Sequence, residues 1–122
     1  MSMNAWMNPL NDETVLDLVN YTAFRKQSDI RQPVNTWVTI DENPDSINDG
    51  WFVVAPVGNV WYDYPATYHS KAGGLSFADG HAEIKKWRDS KVLTPPSPIA
   101  RTRKDPSATD YEWLAERTTI KK

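Results

Sequence analysis

A β-rich α+β fold is what this sequence predicts: a small antiparallel sheet with long ordered loops and one or two short helices. Three observations carry that expectation. Nine prolines recur through 122 residues and cut the chain into short segments, because proline fits neither a helix interior nor a central strand. Between them lie apolar stretches rich in β-branched and aromatic residues, residues 36–41 (TWVTID) and 51–55 (WFVVA) above all. Third, Asp79-Gly80 separates two alternating stretches and marks a hairpin with a two-residue turn, both of whose central positions would take positive φ.

Taken in order, residues 12–19 carry a weak helical pattern with Asn11 or Asp12 as cap. Residues 21–26 alternate enough for a strand. Residues 28–31 read as a single capped turn running into Gln32-Pro33, where the residue before proline is pushed to extended geometry. Trp37, Val38 and Ile40 make 36–41 the clearest strand, and 51–55 is apolar enough to be buried on both faces. A turn at 57–61 follows, then the hairpin of 75–78 with 82–87. Residues 88–108 hold four prolines and five basic residues and read as an extended strap rather than sheet. Thr109 with Glu112 fits a capping box opening a short helix over 109–117, which Trp113 and Leu114 would dock.

At this length, with 39% apolar residues, residues 1–122 form a single domain with a modest core. No cysteine is present, so neither a disulfide nor a thiolate metal site staples it. A net charge of −2 argues against general nucleic-acid binding. No apolar run reaches the ~18 residues of a membrane span, and no secretory signal is visible, so no membrane contact is expected of the chain.

His69 is followed after nine residues by Asp79-Gly80, within YHSKAGGLSFADGHAEIKKW. This spacing resembles the H-X9-DG domain of prepilin-like proteins, the globular head of bacterial pseudopilin relatives. The likeness extends to Trp37–Trp51, which is similar to the acidic segment preceding that histidine. Residues 2–6 and 113–119 resemble the start and close of the head. The family's N-terminal signal and long apolar helix have no counterpart here. The resemblance therefore implies a head without its stalk, serving a type II secretion or type IV pilus-like system at the periplasm or cell surface. Its implied partners are other pilin-like subunits or secreted cargo, with the chain itself monomeric or weakly self-associating.

Asp41, Glu42, Asp45, Asn48 and Asp49 set five oxygen-bearing side chains within nine residues. Such density repels unless neutralised, and calcium accepts six to eight oxygens in flexible geometry. Major pseudopilins carry calcium in a loop of the head, which the resemblance adds to that reading. The competing reading comes first: Asp45 caps a short turn at 46–48, Asp49-Gly50 makes another turn, and Asp41 and Glu42 are solvated or pair with Arg25 or Lys26. His69 and His81 are the only histidines. With Asp79, Glu83 and Asp63 they offer nitrogen and oxygen ligands for zinc, and a small metal-dependent hydrolase using His69, Asp79 and His81 is one alternative function. The structural reading has His69 pinning the loop into the hairpin, alongside Asp79 and Gly80 as motif residues.

Six tryptophans fall in nearly every segment and read as core and loop anchors. Trp61, Tyr62, Tyr64 and Tyr68 could instead form a sugar platform, provided their faces are exposed; a carbohydrate-binding module is the second alternative. No serine lies in a nucleophile elbow and no phosphate-cradling loop is present. The sequence thus points to a non-enzymatic assembly module, with calcium as its one candidate cofactor.

Overall fold

The computed structural model describes residues 1–7, 21–46, 50–54, 59–67, 70–95, 100–107 and 109–120. Its strands are β1 (Ser2–Asn4), β2 (Trp37–Ile40), β3 (Trp51–Phe52), β4 (Val60–Trp61), β5 (Ala72–Phe77), β6 (Ala82–Lys86) and β7 (Thr102–Arg103). Two short helices follow the hairpin, α1 (Ser90–Leu93) and α2 (Asp110–Glu116), and 3-10 turns lie at Gln27–Asp29, Pro33–Asn35 and Pro44–Ser46. The main sheet runs β3-β1-β2-β5-β6, and β4 pairs with β7 in a separate ribbon. This is the β-rich α+β class expected. The sheet is mixed, however, because β3 lies parallel to β1 while the other pairs are antiparallel.

One face of the sheet makes the core. Trp37, Ile40, Phe52, Leu75 and Phe77 point inward and are at most 3% exposed. Trp61 from the ribbon, Val92 from α1, and Tyr111 and Leu114 from α2 pack against them. Trp37 and Ile40 are three residues apart, so strict strand alternation would put them on opposite faces. A register shift between Trp37 and Thr39, against Phe77 and Ser76, resolves this. The bulge resets the parity so that both large side chains enter the core. A smaller cluster of Trp6 and Phe24 sits at the N-terminal side, with Tyr21, Ile30 and Ile120 against it.

Asn4 ties the two ends of the chain together. Its amide donates to the Trp37 carbonyl (3.0 Å) and the Thr118 carbonyl (2.9 Å), while its oxygen accepts the Trp6 N–H. Three indoles likewise spend their N–H inside: Trp6 on the Val54 carbonyl, Trp37 on Thr118 Oγ1 and Trp61 on Asp89 Oδ2. A buried indole left without a partner loses its hydration for nothing in return, so these bonds also select one packing.

Several expectations need correcting. The 21–26 stretch is not a strand; Phe24 contributes only an isolated bridge to Met7, and a 3-10 turn follows at Gln27–Asp29. Residues 51–54 alternate in burial, because β3 is an edge strand with one face on the core and the other open. The strap is not simply extended. Asp89 caps α1 by accepting the Lys91 N–H, and β7 supplies the partner of β4. Prolines at 95, 96, 98 and 106 fall outside both elements and so permit them. The helix at 110–116 forms, yet Thr109 makes no side-chain cap. The expected helix at 12–19 and residues 57–58 of the expected turn lie outside the described residues; of the rest of that turn, Asn59 takes positive φ and 60–61 form β4.

Candidate functional site

The motif-bearing hairpin projects its tip outward. Gly80 N–H donates to the Phe77 carbonyl (3.0 Å), and Phe77 N–H donates to the His81 carbonyl (2.9 Å). Only Gly80 of the Asp79-Gly80 pair takes positive φ, +96°. The connection is therefore a three-residue loop closed by a left-handed glycine, not the two-residue turn expected. Asp79 keeps ordinary backbone geometry and uses its carboxylate to accept the His81 N–H (3.1 Å).

That carboxylate also bonds His81 Nδ1, and Glu83 Oε2 lies 3.5 Å from Nε2. The imidazole stacks on Phe77 with ring centres 4.4 Å apart and planes 10° from parallel. The hydrogen bond to Asp79 holds the imidazole pKa above its ordinary value, and the same bond holds the Asp79 carboxyl below the usual carboxylate range. His81 sits between two carboxylates at the surface. Its partner in the hydrolase reading, His69, lies outside the described residues, as does Tyr68. Among the described residues no three His, Asp or Glu side chains converge to hold a metal ion.

The described members of the acidic segment go to different partners. Asp41 Oδ2 accepts the Gly74 N–H (3.1 Å), fixing the segment to β5. Glu42 is 5% exposed and accepts Ser46 Oγ–H at Oε2 (2.8 Å); its Oε1 has no partner among the described residues. Glu42 is buried, not solvated as expected, while Asp41 stays partly exposed; the 41–43 stretch is held against 64–66. There Asn43 N–H meets the Tyr64 carbonyl and Ala66 N–H the Asp41 carbonyl, both at 2.7 Å. Asp45 is exposed, and the turn at Pro44–Ser46 is capped by Asn43, whose Oδ1 accepts the Asp45 N–H (2.9 Å). Asn48 and Asp49 lie outside the described residues.

The sugar platform is overturned at two of its three described positions. Trp61 is 1% and Tyr64 0% exposed, stacked on one another with centres 6.4 Å apart. Tyr64 Oη donates to the Ala100 carbonyl, and burial, reinforced by Asp89 and Asp63, pushes its pKa up to about 12. Tyr62 is half-buried beneath the Arg101 guanidinium, 4.6 Å from its ring centre. The Trp61 and Tyr64 rings face the protein and offer no stacking surface to a pyranose.

The carboxylates that organise this end of the molecule are ones the sequence reading passed over. Asp89 is fully buried. It accepts Trp61 Nε1–H (2.8 Å) at one oxygen, Lys91 N–H (2.8 Å) at the other, and Asp105 N–H at 3.2 Å from both. Asp110, 1% exposed, accepts the N–H groups of Arg88 and Asp89 at 2.6 Å each, and Lys85 Nζ stands 3.8 Å away. Two carboxylates thereby lock β6, α1, the strap and the start of α2 to one another. The signal was present: Asp89 followed by Ser-Lys-Val-Leu is a helix-cap pattern, masked by the weight given to the prolines after it. Comparison of the chain with protein-family models, with curated proteins and with solved structures returned no match.

Proposed function

We propose that this chain is a non-catalytic assembly module, the globular head of a pseudopilin-like protein that presents loops and a hairpin to neighbouring subunits or cargo. The resemblance in His69, Asp79 and Gly80 suggests the family. The observation that supports a scaffold role is how the polar groups are spent: Asp41, Asp89 and Asp110 are all committed to backbone amides of this same chain. A catalytic carboxylate needs a face turned to substrate, whereas these face inward. On this reading the head works at the periplasmic or outer surface. Among the described residues no helix is long and apolar enough to cross a membrane.

A photo-crosslinking residue placed at exposed Asp45 or Ala82, in a bacterium carrying this gene, tests the reading. Covalent adducts with pilin-like subunits or a secreted protein are expected. Adducts confined to cytoplasmic enzymes would contradict it. So would a hydrolytic turnover by the purified chain that disappears in His81→Ala.

A further inference from the structure

The outer edge of β6 has a pattern that none of the above explains. Trp87 N–H donates to the Lys71 carbonyl and Phe77 N–H to the His81 carbonyl, and the pairs between run in unbroken register. In an antiparallel ladder, residues alternate between bonding inward and outward. Residues 81, 83, 85 and 87 therefore spend their backbone groups on β5, while Ala82, Ile84 and Lys86 turn theirs to the free edge. No described strand pairs there. Ile84, at the centre, is 79% exposed, and its cross-strand neighbour is Gly74, which has no side chain to cover it. A free edge of this kind templates another strand.

We propose that β6 pairs with β6 of a second copy of this chain, antiparallel about a two-fold axis through Ile84, joining two five-stranded sheets into one. Charge selects the occupant and the register. About that axis Ile84 faces Ile84, Ala82 faces Lys86, and Glu83 of each copy faces Lys85 of the other. Sliding by one hydrogen-bonding step either way opposes Glu83 to Glu83 or Lys85 to Lys85, and in-register parallel pairing opposes every like charge. Like charges directly across strands destabilise and opposite ones stabilise, so only the Ile84-centred register is favoured throughout.

Lysines on an edge ordinarily deter pairing. Here Lys85 lies on the inner face, 3.8 Å from Asp110 and 5.2 Å from the Trp113 ring centre, and the exposed Lys86 would face only Ala82 in this register. The contact is isologous and closed, as two-fold interfaces are. It is also small, below the ~1,200 Å² typical of stable complexes, so the dimer is weak and concentration-dependent. The inference stands apart from the assembly reading and does not require it.

Sedimentation velocity of the intact chain from micromolar to millimolar concentration tests the dimer, with far-UV circular dichroism as the folding check. A reversible monomer–dimer equilibrium is expected. Glu83→Lys and Lys85→Glu should each weaken self-association at least about tenfold, since two like-charge contacts appear per dimer. An equimolar mixture of the two variants should regain it, because only the mixed pair restores both opposite contacts. Should Lys85→Glu fail to fold beside Asp110, Ile84→Pro serves instead: the Ile84 N–H faces away from β5, so the hairpin survives and the edge is blocked. A chain that stays monomeric throughout would overturn the proposal. So would a dimer unaffected by Glu83→Lys and Ile84→Pro, or a charge-variant mixture that associates no better than its components.

Discussion

Two places in this molecule gather carboxylates, and they work differently. The acidic segment at 41–49 holds four acids in nine residues, yet its described members go separate ways: Asp41 to an amide of β5, Glu42 into the interior, Asp45 to the surface. Asp89 and Asp110 lie far apart in sequence, but the Asp110 carboxylate accepts the Asp89 N–H, and together they take five donors from three stretches of chain. Among the described residues, burial beside N–H donors rather than density along the sequence is what gathers hydrogen bonds onto a carboxylate. A carboxylate sealed in a low-dielectric interior is stable only when several N–H groups solvate it, and supplying them fixes the elements that carry them.

Removing the buried anchor should have the largest effect. Asp89→Ala strands the Trp61 indole and two backbone amides, one of them the α1 cap, and is expected to cost about 4 kcal/mol in denaturant unfolding. Asp45→Ala, its counterpart in the acidic segment, should stay within about 0.5 kcal/mol. Gly73→Ala sharpens the contrast from the packing side. A Cβ there would stand 2.7 Å from the Ala66 carbonyl oxygen and 3.2 Å from Trp87 Nε1, so β5 must move away from the 64–66 stretch that holds the acidic segment. A loss of about 2 kcal/mol is expected, read as a lower unfolding midpoint. Ser46→Ala leaves the buried Glu42 carboxylate without its hydroxyl donor and should cost about 1 kcal/mol by the same assay.

The smallest effect belongs to the exposed pair at the hairpin tip. Because the His81 pKa is raised, its stabilising contribution is present below the ordinary imidazole value and is lost as pH rises through the folded value. Because the Asp79 pKa is lowered, its share is present above the ordinary carboxylate value and is lost as pH falls through its folded value. The difference in thermal midpoint between the parent chain and His81→Gln should therefore peak at about pH 4.5–6 and shrink on both sides. A difference that grew steadily toward alkaline pH would mean that the ion pair does not form.

Much of the architecture was legible because it rests on local chemistry. Proline spacing, the TWVTID strand and the Asp-Gly hairpin set the class and placed β2, β5 and β6 within a few residues. What escaped notice depended on distant partners. The parallel seating of β3 on β1 follows from no local pattern. The bulge at Trp37 becomes necessary only once Trp37 and Ile40 compete for the same core. Trp61 reads as core and lies there, but a surface reading for it and Tyr64 stayed open because Asp89 and the Ala100 carbonyl, which draw them inward, are 28 and 36 residues away. The turn at Asp79-Gly80 was located correctly and typed wrongly, since a carboxylate accepting the His81 amide removes the need for a second positive φ.

Amide hydrogen exchange, followed residue by residue on the intact chain, tests the contrast between the two acidic regions most directly. The amides of Arg88, Asp89 and Lys91, whose protons rest on buried carboxylates, should exchange only through global unfolding, as slowly as those of the central strands β2 and β5. The Asp45 amide, bonded to Asn43 at the surface, should exchange orders of magnitude faster. Arg88 and Asp89 amides exchanging as fast as Asp45 would contradict the account, because the Asp89–Asp110 knot would then be no anchor of the fold.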